Sequence, residues 1–297
     1  MFLRHLRFSP LLIFVLSACT PAPTTQPTIV PPSVTPTPMP LTATPTATIT
    51  PTSTTTPLTC WDDGGEMEIT QLESDLLPQP LAFRIYTPPC YAAQSQRDYP
   101  VLYLIHGQTF NDDQWDRLGA DEMVSDLVAR GEIEPFIIVM PRDRVWRQPD
   151  EDNFGQAIIN DLIPYIDDNY RTLDLRQYRA VGGLSRGAAW AVHLGLSQWE
   201  YFGTIGGHSL PVFWTDGYQI DDWLLEIPES QLPRIWVDVG DRDQQAILQS
   251  SIWFHELLEG MDIPHEWHLN EGRHEEAYWI AHLEEYIRWY AQGFAAR

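Results

Sequence analysis

The chain has 297 residues, of which 43% are hydrophobic and 12% aromatic, enough for one large folded domain. Its formal charge is −23, and all 18 basic residues are arginine. That balance argues against nucleic acid and other polyanionic partners.

The first 19 residues read as an export signal: a basic start at Arg4, His5 and Arg7, an apolar run from Leu11 to Leu16, and small residues before Cys19. The run is too short to span a bilayer. Leu16-Ser17-Ala18-Cys19 resembles the lipobox of bacterial lipoproteins, which implies cleavage before Cys19 and lipidation of that cysteine. The expected location is extracytoplasmic, with the membrane as a partner through the lipid anchor. Residues 20–59 hold 16 Thr, 11 Pro and no charge, the composition of an extended linker. At roughly 3.1 Å per residue it reaches about 120 Å. The folded part is then 60–297, and it carries all 41 acidic residues against 16 arginines. Cys60 and Cys90 are expected to pair, because an exported domain meets an oxidising compartment.

Along the domain, Glu66–Leu72 and Leu81–Thr87 alternate as hairpin strands. Tyr99–Ile105 is a continuous apolar run, a strand buried on both faces, and it ends in His106-Gly107-Gln108. The spacing predicts a helix over Asp116–Arg130, a strand over Phe136–Met140, and a helix over Phe154–Tyr170 with a kink at Pro164. Next come a strand at Tyr178–Gly182, a helix at Ser185–Leu196 and a strand at Phe202–Gly206. Residues 209–233 read as an irregular insertion or small cap. The strand Arg234–Val239, the helix Gln244–Glu259, the strand Pro264–Leu269 and the helix Glu275–Gln292 close the chain. This alternation implies an α/β fold with a mostly parallel central sheet and helices on both faces.

Gly183-Leu184-Ser185-Arg186-Gly187 has the form of a nucleophile elbow, a sharp strand-to-helix turn that exposes a serine hydroxyl. Two later strand ends supply partners. Arg234–Val239 leads into Gly240-Asp241-Arg242-Asp243, and Pro264–Leu269 into Asn270-Glu271-Gly272-Arg273-His274. A serine needs a base to take its proton, and the base needs a carboxylate to fix its tautomer. Ser185, His274 and Asp243 fill these roles, with Asp241 as the rival acid and Asp238 placed within its strand. His268, in a strand, and His282, on a helix, are poorer candidates for the base. The expected oxyanion donors are the backbone N–H groups of Arg186 and Gln108, with His106 as a brace for the Gln108 loop. Trp115, His208, Phe213, Trp214 and Trp223 fall in or beside predicted loops at the active edge; Trp115, His208 and Trp214 are the substrate-binding candidates. No metal site is expected. His255-Glu256-Leu257-Leu258-Glu259 lacks a second histidine, and His265-Glu266-Trp267-His268 is one residue too short for a zinc-protease helix. No cofactor is implied.

Residues 78–292 resemble the esterase family of α/β-hydrolases, which includes feruloyl esterases, S-formylglutathione hydrolases, enterochelin esterases and mycolyltransferases. The matching pieces are Tyr86-Thr87-Pro88-Pro89, the run Tyr99–Gly107, Asp161-Leu162-Ile163-Pro164-Tyr165-Ile166-Asp167, and the elbow itself. The resemblance implies an α/β-hydrolase fold and supports Asp243, through the G-x-x-D loop, and His274. The chain departs from the family pattern after the serine, where Met and two glycines are common and Arg186, Gly187 and Ala188 stand here. The expected activity is hydrolysis of small aryl or acyl esters, or of carbohydrate-linked esters, with the small-molecule or glycan ester as partner. Acyl transfer to a sugar hydroxyl, and a binding protein on an esterase scaffold, are the alternatives left open.

Overall fold

The computed structural model describes residues 59–295. The signal segment, Cys19 and the linker through residue 58 lie outside the described residues. A short 3₁₀ turn over Thr59–Asp63 opens the described chain, and a disulfide joins Cys60 to Cys90 with Cα atoms 5.1 Å apart. It ties this first turn to the loop after the second strand.

The sheet has eight strands: β1 (Glu66–Leu72), β2 (Leu81–Thr87), β3 (Val101–Ile105), β4 (Ile137–Pro141), β5 (Arg179–Leu184), β6 (Thr204–His208), β7 (Arg234–Gly240) and β8 (Glu266–Asn270). Their spatial order is β1-β2-β4-β3-β5-β6-β7-β8. The hairpin β1–β2 and the β2–β4 pair are antiparallel, and the other pairs are parallel. The order reverses at β3, which lies between β4 and β5. That reversal opens a crevice beyond the strands' C-terminal ends, the usual place for ligands in such sheets.

The apolar runs of the central strands have a direct cause. Val101, Tyr103 and Ile105 of β3 join the core on one face, while Leu102 and Leu104 join the core on the other. Both faces are covered, so every position in the run is apolar. One face is covered by α3 (Phe154–Ala157), α4 (Ile163–Asn169), α5 (Arg186–Ser197), α6 (Ile220–Glu226) and α7 (Gln245–Gly260). The other is covered by α1 (Gln114–Arg117), α2 (Ala120–Ala129) and α8 (Glu276–Ala295).

Three expectations change. The helix over Asp116–Arg130 is two helices, because Gly119 adopts φ 90° between α1 and α2. The segment Phe154–Tyr170 passes through a π turn at Ile158–Leu162, and Pro164 falls in the first turn of α4, where a missing N–H is tolerated. The insertion at 209–233 is better packed than a loose cap. It contains α6, and its Leu210, Phe213, Ile220, Leu224 and Ile227 are buried in the α5 face of the core.

Candidate active site

Ser185 stands between β5 and α5 with φ 53° and ψ −125°, a conformation that L residues rarely adopt. The surroundings enforce it. The Ser185 N–H donates to the His208 carbonyl at 2.8 Å, and the Ser185 carbonyl accepts the Ala188 and Ala189 N–H groups, which starts α5. The two glycines of the elbow are required sterically. A Cβ on Gly183 would sit 2.3 Å from the Gly187 carbonyl carbon, and one on Gly187 would sit 2.0 Å from the Ile105 oxygen. Strand and helix therefore cross at backbone contact, and the serine side chain is left at the crevice.

His274 and Asp243 reach this point from two strand ends. His274 Nε2 lies 2.9 Å from Ser185 Oγ, and His274 Nδ1 lies 2.8 Å from Asp243 Oδ1. The Nδ1–H is not aimed straight along the second contact, so this is a close polar contact rather than a linear hydrogen bond. Asp243 is buried, its Oδ1 also accepts the Gln244 N–H at 2.6 Å, and its Oδ2 is buried without a protein donor. Asp241, the rival acid, does different work. Its carboxylate is exposed and accepts the Gly272 N–H at 3.0 Å, a bond that lowers its pKa. Together with Asp241 N–H to Asn270 O and Arg242 N–H to Gly272 O, this zips the acid loop to the base loop. His274 also packs edge-on against Trp279, with centroids 5.1 Å apart.

Two loops approach Ser185 from the sides. Gly107-Gln108-Thr109-Phe110 is a turn closed by Phe110 N–H to Gly107 O, with Thr109 at φ 70° where a type II turn usually has glycine. The Gly107 N–H donates to Gln114 Oε1 at 2.8 Å. Arg186 opens α5, where the first N–H groups of a helix have no intrahelical acceptor. The cleft bounded by these elements holds about 520 Å³ and is lined by Gln108, Phe110, Ser185, Arg186, Ile247 and His274, among others.

The Arg186 side chain, the departure from the family pattern, turns away from the reacting edge. It is buried, its Nε donates to Asp143 Oδ2 at 2.6 Å, and its Nη2 donates to the Arg147 carbonyl at 2.6 Å. Trp190 Nε1 donates to the same Asp143 oxygen at 2.9 Å. Asp143 in turn connects to the other loop, because its N–H donates to His106 Nε2 at 3.0 Å. That bond places the ring proton on Nδ1, which donates to the Gly107 carbonyl at 2.7 Å. A continuous chain, Arg186–Asp143–His106–Gly107, thus links the start of α5 to the turn that carries Gln108.

Burial lowers the His106 pKa from its ordinary value, and its bond to Gly107 and the nearby Asp143 only partly offset this. The cause is also geometric, since a proton on Nε2 would face the Asp143 N–H. The folded state therefore holds His106 neutral at pH values where the unfolded chain protonates it, below about 6.5. The unfolded state binds more protons there, so stability is lost as pH falls through that range. We expect urea unfolding of wild type to lose more stability between pH 7.5 and 5.5 than His106→Gln does; equal losses would remove His106 from the acid response.

The substrate-binding candidates need correction. Trp115 is 1% exposed and its Nε1 donates to the Ile105 carbonyl, so it belongs to the core under β3. His208 is fully buried because β6 runs two residues further than expected; its Nδ1 meets Asp238 Oδ1 at 2.6 Å and its Nε2 meets Tyr290 OH at 3.0 Å. Trp214 is exposed but does not line the cleft. Phe213 is buried beneath the Arg186 guanidinium, and Trp223 packs against His193. The residues that do line the cleft and that the sequence did not single out include Phe110, Gln244, Ile247, Glu276 and Trp279. Trp279 had one available signal, its place in the first turns of the helix after His274.

A serine on a strained strand-to-helix turn, facing a histidine and an aspartate from later strand ends of a mostly parallel sheet, defines the α/β-hydrolase class. The chain belongs to the esterase family: the family profile described as "Putative esterase" matches residues 74–290. It is 30% identical over 200 residues to an endo-1,4-beta-xylanase/feruloyl esterase of Xylanibacter ruminicola, covering 64% of this chain and 26% of that protein. It is 34% identical over 127 residues to an esterase of Mycobacterium tuberculosis, covering 39% of this chain and 26% of the relative. The matches thus span about a quarter of the length of these relatives. Among solved structures, a ferulic acid esterase superposes with TM-score 0.68 at 23% identity, covering 78% of this chain and 99% of the other. A ferulic acid esterase from Anaeromyces mucronatus superposes with TM-score 0.60 at 20% identity, covering 78% and 92%. At these identities the two structures speak to the fold.

Proposed function

We propose that the protein is an extracytoplasmic serine carboxylic-ester hydrolase, anchored through lipid on Cys19, that acts on carbohydrate-linked or small aryl and acyl esters of the feruloyl or acetyl type. The observation that carries this reading is the 2.9 Å approach of His274 Nε2 to Ser185 Oγ on the strained turn. His274 takes the hydroxyl proton as Ser185 attacks the ester carbonyl. The tetrahedral oxyanion is met by the N–H groups of Arg186 and Gln108, and removing one such donor typically costs about 3–4 kcal/mol of transition-state stabilisation. His274 then returns the proton to the leaving alcohol, water repeats the sequence on the acyl-enzyme, and Asp243 stabilises the imidazolium in both halves. The cleft favours uncharged acyl groups. Arg186 is the one cationic residue among the described residues lining it, and its guanidinium is committed to Asp143 and Arg147. Glu275 and Glu276 add negative charge at the same mouth.

A panel of methyl hydroxycinnamates, p-nitrophenyl acetate and acetylated xylan, incubated with and without sugar acceptors, tests the reading. Release of free acid with Ser185-dependent turnover is the expected result. Acyl-sugar products would make the protein a transferase, and no turnover of any ester would support a binding role.

A further inference from the structure

We propose that two loops beside the cleft form a binding shelf for an uncharged polysaccharide, built on Trp146, Trp214 and Tyr218. The proposal deepens the esterase reading by naming what carries the ester. Three large rings stand in water here: Trp146 is 49% exposed, Trp214 66% and Tyr218 76%. They lie on two loops, 142–153 and 209–219, that are joined where Thr215 Oγ1 donates to Gln148 Oε1 at 3.4 Å. Both loops hold the same cleft residue. Arg147, next to Trp146, accepts from Arg186 Nη2, and Phe213, next to Trp214, lies with its ring 5.1 Å from the Arg186 guanidinium carbon. The rings are therefore fixed relative to the start of α5 and hence to Ser185. Trp214 and Tyr218 stand nearly perpendicular, with centroids 6.2 Å apart.

The choice of occupant follows from chemistry. Rigid aromatic rings give large contact area at low entropic cost, and an indole face suits the C–H face of a sugar ring. The same two loops carry the polar side chains Gln148, Thr215 and Gln219 at least partly in solvent, so the surface is mixed rather than the continuous apolar core that a protein partner would bury. A domain with 41 acidic residues repels an anionic polymer or an anionic membrane surface. A neutral glycan satisfies all three conditions. Lying along the shelf, it presents a side-chain ester to the cleft at the Pro211 end, where the 209–219 loop joins the cleft lining.

Binding is read without turnover, using the full chain carrying Ser185→Ala, by affinity electrophoresis in gels containing arabinoxylan, xyloglucan or galactomannan. We expect retardation by at least one of these, and at least a tenfold rise in Kd when Trp146→Ala and Trp214→Ala are added together. A thermal melt matching the parent's shows that the added changes leave the fold intact. Trp214→Phe, which keeps a stacking face, should recover part of the affinity. No retardation by any of the three, retardation unchanged in the double variant, or equal binding to a carboxymethylated anionic glycan would overturn the shelf. So would a pair of tryptophans needed for binding phosphatidylglycerol vesicles but not glycans. Hydrolysis of small esters by the Ser185 protein is measured separately, so failure of the shelf and failure of the esterase reading are distinguishable.

Discussion

Replacing Ser185 with alanine is expected to lower kcat/KM for an aryl ester by about 10⁴–10⁶-fold, with no loss of folding stability. Alanine keeps the Cβ and the strained backbone of the elbow, so the change removes one oxygen and nothing that packs. His274→Ala should cost a similar factor, and the double variant should be no worse than either single one, because nucleophile and base act as a unit. The two aspartates of the acid loop should separate sharply. Asp243→Asn is expected to cost up to ~10⁴-fold by favouring the wrong imidazole tautomer. Asp241→Asn, which alters only exposed contacts to the Gly272 N–H and to Arg242, should cost less than about tenfold. Steady-state kinetics on the five proteins check this, and multiplying losses for Ser185 and His274 would contradict a shared step.

The second large effect concerns stability. Beneath the elbow, the fully buried Asp238 carboxylate accepts from four donors: His208 Nδ1 at 2.6 Å, Trp236 Nε1 at 2.9 Å, and the Tyr278 and Tyr286 hydroxyls at 2.7 Å each. Burial alone would raise its pKa, but the His208 charge and bond and the two hydroxyls outweigh it, and the value is lowered. The network joins β6, β7 and α8, and the His208 carbonyl holds the Ser185 N–H. Asp238→Ala strands all four donors in a dry interior. Removing one partner of such a buried set costs about 3–5 kcal/mol, and at roughly 2–4 °C per kcal/mol for a domain of this size Tm should fall on the order of 10 °C. Asp238→Asn keeps the shape and part of the acceptor capacity and should lose less. The sign with pH is fixed by the lowered pKa: the stabilisation is present above the unfolded carboxylate value and is lost as pH falls through the folded one. Calorimetric melts of wild type and both variants at pH 7 and pH 3 measure it, and an unchanged Tm for the alanine variant would contradict the network's role.

Much of the architecture was legible because local pattern and tertiary environment agree. The first two strands alternate as a hairpin does, and β1 and β2 span the expected residues. The central strands are apolar throughout because both faces of the sheet are covered. The candidate triad was legible from chain order, since each member follows a strand and the parallel topology collects those ends at one edge. The errors come from contacts that sequence does not encode locally. His208 looked like a loop residue because Gly206 and Gly207 suggest a strand end, yet β6 continues through them with Tyr290 OH filling the space a Cβ on Gly206 would take. Trp115 looked available because it stands near a loop, while a carbonyl of β3 satisfies its indole N–H and draws it into the core. The Arg186–Asp143 pair joins residues 43 positions apart, with nothing in either local sequence to announce it.

The most direct test of the central claim is intact-protein mass spectrometry after treatment with a fluorophosphonate, followed by peptide mapping. One phosphonyl adduct is expected, placed on Ser185, absent from Ser185→Ala and greatly slowed in His274→Ala. A protein that stays unmodified, or an adduct that persists in Ser185→Ala, would contradict it.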